Sequence, residues 1–160
     1  GARRMVEDAI AELAPYAAEH GVVLGIEPMH PMYCSDRGVV SSLRQARLIA
    51  ERFPAEQVGV VVDAYHVWWD PELFAELALL GPRIVGFQVS DWVTPLPEGV
   101  LTGRGMMGDG VIDLRGLAQA VRDSGYPGLT EVEIFNEELW RRPGEEVLAL
   151  CCERYLAHVA

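Results

Sequence analysis

Four stretches of this chain place an oxygen-bearing side chain directly after a run of small apolar residues: Glu27 in LGIEPMHP, Asp63 in VVDAYH, Gln88 in GFQVSD and Glu133 in EVEIF. A single such residue is usually a solvated or ion-paired strand end, but four at equivalent places form a constellation. Three carboxylates brought together repel one another and raise each other's pKa unless a cation neutralises them. A divalent ion does so. Oxygen donors without cysteine favour Mn²⁺ or Mg²⁺, with Co²⁺ as a further choice, over a structural zinc. His66 follows Asp63 by three residues, and Trp68 and Trp69 behind it read as packing. Glu131 shares a strand face with Glu133 but lies nearer the expected buried middle, which makes it a supporting group. A second signal is GRGMMGDGVIDL, where glycines 103, 105, 108 and 110 permit close backbone approach and Arg104 offers a fork of donors to hydroxyl, carboxylate or phosphate oxygens.

The elements that must position these groups alternate. Met5, Ala9, Ile10, Leu13, Tyr16 and Ala17 recur at helical spacing before the stop at Gly21, with a kink expected at Pro15. VVLGIEPM then reads as a strand buried on both faces. SSLRQARLIAERF is a helix, VGVVVDAYHV a second buried strand, and PELFAELALLG a helix with Pro71 at its first position. RIVGFQVSDW, DLRGLAQAVRDSG, LTEVEIF and EEVLALCCERYLAHVA continue as strand, helix, strand, helix. Such alternation implies parallel strands with helical crossovers, hence an α/β fold, whose ligands gather at the strands' C-terminal ends. The irregular segment from Val93 to Asp113 is long for a connection and marks a functional loop.

Composition bounds the partners. With 160 residues, half of them apolar, the chain can bury the core of one domain spanning residues 1–160. A net charge of −11 without a basic stripe argues against nucleic acid. No apolar run reaches the roughly 18 residues of a membrane span. Three cysteines, two of them adjacent, fit a reducing cytoplasmic setting better than a disulfide framework.

The quoted motifs resemble the sugar phosphate isomerase/epimerase family, the xylose-isomerase-like (β/α)₈ barrels that include ketose 3-epimerases and inosose dehydratases. IEP matches the family's first glutamate ligand at Glu27, DAYH its D-x-x-H pattern at Asp63 and His66, and EIF its last glutamate at Glu133. FQVSD departs, with Gln88 where the family usually has histidine, which weakens the expected metal affinity. RGMMGDG matches the family's substrate-binding arginine at Arg104. The resemblance implies one divalent metal on Glu27, Asp63, Gln88 and Glu133, substrate contacts from His66 and Arg104, and Glu27 and Glu133 as an acid/base pair.

It also implies a sugar, sugar phosphate or inosose substrate, which is epimerised or isomerised by proton transfer beside a metal-bound carbonyl. Two readings stand beside it: a dehydratase with His66 as the acid, and a sugar-binding protein that has lost turnover. A multi-metal endonuclease of this fold is disfavoured by the acidic charge and by a histidine complement of only His20, His30, His66 and His158. Four strands in 160 residues amount to the C-terminal half of a barrel of about 250 residues. The expectation is a longer natural product, a homo-oligomer, or pairing with the missing half-barrel.

Overall fold

The computed structural model describes residues 1–97 and 100–160. Its regular elements, in order, are α1 (Ala2–Glu19), β1 (Leu24–Ile26), α2 (Leu43–Ala50), β2 (Val58–Asp63), α3 (Ala64–Val67), α4 (Leu73–Leu80), β3 (Ile84–Val89), β4 (Asp91–Trp92), β5 (Arg104–Gly105), α5 (Leu114–Asp123), β6 (Thr130–Val132), α6 (Glu137–Trp140) and α7 (Gly144–His158). Strands β1, β2, β3 and β6 form one parallel sheet in that order, and β4 pairs antiparallel with β5. Parallel strands need crossovers, which the helices supply, so the α/β expectation holds.

Local sequence sets the boundaries. Helix α1 runs through Pro15 and closes at Gly21 (φ +69°), where the Gly21 and Val22 N–H groups donate to Ala18 O and Ala17 O. Those bonds satisfy carbonyls that the helix end would otherwise leave orphaned. Ser42 caps α2 and Asp113 caps α5 by accepting from backbone N–H groups. Several expected boundaries need correction: the first strand is confined to Leu24–Ile26, the third ends at Val89 with Asp91–Trp92 turned into the antiparallel pair, and the fourth ends at Val132. The second strand stops at Asp63 and AYHV is helical, because the Asp63 side chain accepts from Tyr65 N–H and so starts α3. The next helix begins at Leu73 and not at Pro71, since Asp70 ties down the intervening turn by accepting from Glu72 N–H.

The sheet's two faces differ. Val58, Val60 and Val62 of β2 and Ile84, Phe87 and Val89 of β3 point one way and are buried under α2, α4 and α5, whose Leu43, Ile49, Leu77, Leu80, Leu117 and Val121 complete the core. Alternation and register put Gly25, Val61, Gly86, Gln88 and Glu131 on the other face. That face is half open: Gly25, Val85 and Glu131 are exposed and Val61 is partly so. Strands buried on both faces, as the apolar runs predict, are therefore covered on one face only by this chain. Glu131 stands on the open side, not in a buried middle, because no described residue lies across the sheet from it.

Glycine matters where Val85 crosses the open face. The β2–β3 register shifts between Val60 and Val61, placing Val85 as an extra residue opposite them. A Cβ on Gly59 would fall within 2.3 Å of Val85 Cγ1 and 2.5 Å of Arg83 O, so only glycine fits beneath it. Beyond β3, the long segment returns as β5 against β4, and its Glu98 and Gly99 lie outside the described residues.

Candidate functional site

The polar groups collect at the C-terminal ends of the strands. Asp63 is level with Gln88, and Gln88 with Glu131. Glu27 follows the last residue of β1, and Glu133 is tied to β3 by its N–H donating to Val89 O at 3.1 Å.

Asp63 has two tasks. Its Oδ1 accepts from Tyr65 N–H at 2.9 Å and opens α3, which carries His66 one turn onward. His66 Nε2 then stands 3.6 Å from Asp63 Oδ2 and 3.7 Å from Glu27 Oε1. One ligand atom from each of Glu27, Asp63 and His66 lies within 4.8 Å of the others. In the sequence, strand-end position places Glu27 and Asp63 together, while His66 is expected at the substrate.

Burial dominates the electrostatics. It raises Glu27 to about 7, with repulsion from Asp63 and Glu133 adding to the shift and Arg104 opposing it. It raises Asp63 to about 6 against the pull of Arg104 and of the Tyr65 N–H. It lowers His66 to about 3, helped by the positive field of Arg104, so the ring is neutral. A neutral imidazole has one lone pair, and His66 Nδ1 spends it on the His30 N–H, which donates at 3.1 Å. The proton belongs on Nε2, where Asp63 and Glu27 face it. His66 is thus a donor into the site in spite of its ligand-like spacing, and the Arg104 Nη2 that lies 3.2 Å away is a neighbour, not a partner.

Arg104 reaches the cluster from β5, where its backbone is pinned by its N–H donating to Phe135 O and by Asn136 Nδ2 donating to Arg104 O. Its guanidinium is buried. Nη1 donates to Asp63 Oδ2 at 2.7 Å and to Glu133 Oε2 at 3.0 Å, and the group lies over the rings of Tyr65 and Phe135 at 4.6 and 5.1 Å. Gln88 turns its Nε2 to Glu131 Oε2 at 3.1 Å, leaving Oε1 buried without a partner among the described residues. The structure therefore gathers Glu27, Asp63, His66, Arg104 and Glu133, with Gln88 beside them in register.

Two features escaped sequence reasoning. Buried Asp91 accepts from the Trp92, Gly108 and Ile112 N–H groups and so fastens the glycine-rich loop. Its signal was an aspartate straight after the third strand and before that loop. His30 stacks on Trp92 at 4.7 Å and meets Trp69 edge-on at 5.9 Å, while Trp69 Nε1 donates to His66 O. The tryptophans thus form the wall that holds His30 and His66 in place.

These donors suit a divalent cation. Gln88 Oε1 is an orphaned buried acceptor among the described residues, and Glu27, Asp63 and Glu133 bring three carboxylates to one place. Such oxygen-rich donors hold hard or borderline ions.

Comparison with known proteins places the chain in a family. Residues 1–151 match the model of the xylose isomerase-like TIM barrel family. The chain is 26% identical over 144 residues to the inosose isomerase of Bacillus subtilis (strain 168), covering 88% of this chain and 50% of that protein. A solved Sinorhizobium meliloti 1021 protein superposes with a TM-score of 0.94 at 48% identity, over 99% of this chain and 58% of its own. The IOLI protein, solved with a bound zinc atom, gives a TM-score of 0.80 at 24% identity over 96% of this chain and 54% of its own. The chain spans about half the length of the curated relatives it matches. No helix among the described residues is long and apolar enough to cross a membrane.

Proposed function

The chain belongs to the xylose isomerase-like TIM barrel family, and from that premise we propose that it carries the metal-binding and proton-transfer half of a sugar isomerase or epimerase. The observation that carries the reading is the clustering of Glu27, Asp63 and the neutral His66 at the strand ends, with one ligand atom of each within 4.8 Å of the others. A carboxylate held there can take a proton from a carbon acid that a bound cation has acidified, and return it.

Glu27, Asp63, Gln88 and Glu133 would hold the divalent ion, Mn²⁺ by preference, with Mg²⁺ or Co²⁺ as alternatives; the zinc of the solved IOLI protein supports a divalent site here. Bound there, the ion supplies Lewis acidity, acidifying a C–H beside a substrate carbonyl. Glu27 and Glu133 act on that carbon, one removing its proton and the other delivering one, which inverts the centre if they work from opposite faces. His66 Nε2–H and Arg104 grip substrate oxygens. The inosose isomerase relatives make inososes and related ketoses the first substrates to try. The three free cysteines accord with a reducing cytoplasmic setting.

The free edges of β1 and β6 and the half-open face between them support a second part of the reading. The site works against a complementary half-barrel that supplies the opposite wall, in keeping with relatives twice as long.

The test is metal-dependent exchange of a substrate C–H into deuterated water across ketoses, ketose phosphates and inososes. Exchange with at least one, lost on chelation, is expected. No exchange with any of them in the presence of Mn²⁺, Mg²⁺, Co²⁺ or Zn²⁺ would sink the assignment.

A further inference from the structure

We propose that the Arg104 guanidinium serves as the counter-cation of the metal-free site, competing with the metal for Asp63 and Glu133, so that loading the ion releases Arg104 toward the substrate. The inference rests on the metal reading above and adds an antagonism to it.

The hydrogen bonding of Arg104 carries the argument. A guanidinium has five N–H donors, two of them on each terminal nitrogen. Around Nη1 alone stand four acceptors: Asp63 Oδ2 at 2.7 Å, Glu133 Oε2 at 3.0 Å, Glu133 O at 3.3 Å and Ser90 Oγ at 3.5 Å. Nε is buried with no partner among the described residues, and Nη2 faces the protonated Nε2 of His66. One nitrogen is oversubscribed while the others lack acceptors. A well-matched arginine pairs a carboxylate through two parallel N–H groups, as Arg47 does with Glu76 on the far side of the sheet, at 2.7 and 3.3 Å. Arg104 is held by charge and by the Tyr65 and Phe135 rings more than by hydrogen-bond fit.

The oxygens it occupies are two of those the metal needs. A dication arriving at Asp63 and Glu133 repels a monocation already on the same carboxylates, in surroundings that screen poorly. Because the Arg104 backbone is pinned at Phe135 and Asn136, the side chain is the part that gives way. Its unspent donors then face the space where substrate oxygens would lie.

Calorimetric titration of Mn²⁺ without sugar separates the outcomes. Arg104→Gln, which removes the charge and keeps polar bulk, should bind Mn²⁺ at least about tenfold more tightly than the unaltered protein. Its metal-free form should melt lower and gain more in Tm from Mn²⁺. Unchanged or weaker affinity overturns the competition and leaves the metal reading intact; absence of binding in both proteins overturns both. Should Arg104→Gln fail to fold without metal, ¹⁵N spectra of the Arg104 guanidinium in the unaltered protein decide. Slow guanidinium rotation that becomes fast on titration with Zn²⁺ supports release, and a spectrum unmoved by bound Zn²⁺ refutes it.

Discussion

The mouth of the sheet and the flank formed by β6 and α7 differ in how they treat their side chains. At the mouth, Asp63, His66 and Arg104 are at most 4% exposed, and each meets a charged or polar neighbour from another element. On the flank, α7 buries none of its residues, and Leu129, Leu148 and Leu156 are 88, 66 and 69% exposed. An apolar groove of about 780 Å³ runs there, walled by Val132, Leu139, Trp140, Val147, Cys151 and Tyr155. The mouth pairs most of its charged groups from within, because β1, β2, β3 and β5 each bring a polar side chain to it. The flank leaves apolar surface in water, beside an edge strand whose N–H and C=O groups lack a neighbour strand, as half of a closed barrel would.

The largest expected effect falls on the mouth. Asp63→Ala removes the cap of α3, the closest partner of Arg104 and a proposed metal ligand at once. Leaving a buried guanidinium short of its carboxylate costs about 3–5 kcal/mol, and Mn²⁺ affinity should fall by about a hundredfold or more. Denaturant unfolding and calorimetry measure both. Unchanged Mn²⁺ affinity in a folded Asp63→Ala protein would misplace the site.

Changes on the flank should alter association and spare the mouth. The 160-residue chain by itself should scatter light as a species larger than its 17.6 kDa monomer. Leu148→Glu combined with Leu156→Glu should shift it toward the monomer with Mn²⁺ affinity unmoved. A monomer at every concentration, robustly active with metal, would show that the flank needs no neighbour.

Acid should return the effect to the mouth. Glu27 binds a proton as pH falls through about 7 and Asp63 as it falls through about 6. A metal must displace those protons, so its apparent affinity should fall between pH 7.5 and 5.5, by about a hundredfold when both are displaced. His66, neutral down to about 3, takes no part. Glu27→Gln should flatten the upper part of the profile. A flat profile in the unaltered protein would mean that neither carboxylate meets the ion.

The same contrast governs how much could be read in advance. Alternating helices and apolar strands disclosed the parallel α/β order, and the strand-end polar residues disclosed the mouth, because both follow from local periodicity. Lateral context was not legible. Asp63 ends β2 early because its own side chain captures Tyr65 N–H, a choice that turns on one hydrogen bond. The apolar runs described strands covered on both sides, yet only the helical side is covered here, and Glu131 is exposed for that reason. The proton on His66 depends on the His30 N–H, supplied by a loop 36 residues away. Arg104 was expected at the substrate, and its place on Asp63 and Glu133 emerges only when β5 folds back beside β4.

The smallest effect falls at Gln88. Gln88 sits in register between Asp63 and Glu131, and its amide is oriented by donating Nε2 to Glu131 Oε2. That leaves Oε1 as the buried unpaired atom, the end that a cation would use. An amide oxygen is a weaker donor than imidazole toward Mn²⁺ or Co²⁺, but it is already a donor, so the gain from replacing it is modest. In Gln88→His, Glu131 can accept from the far ring N–H, fixing the tautomer and raising the basicity of the nitrogen turned to the metal. Binding should tighten by about three- to tenfold, and Glu131→Gln in the same background should remove part of that gain. Calorimetry that finds equal or weaker binding in Gln88→His would place Gln88 outside the ligand set and leave Glu27, Asp63 and Glu133 to hold the ion.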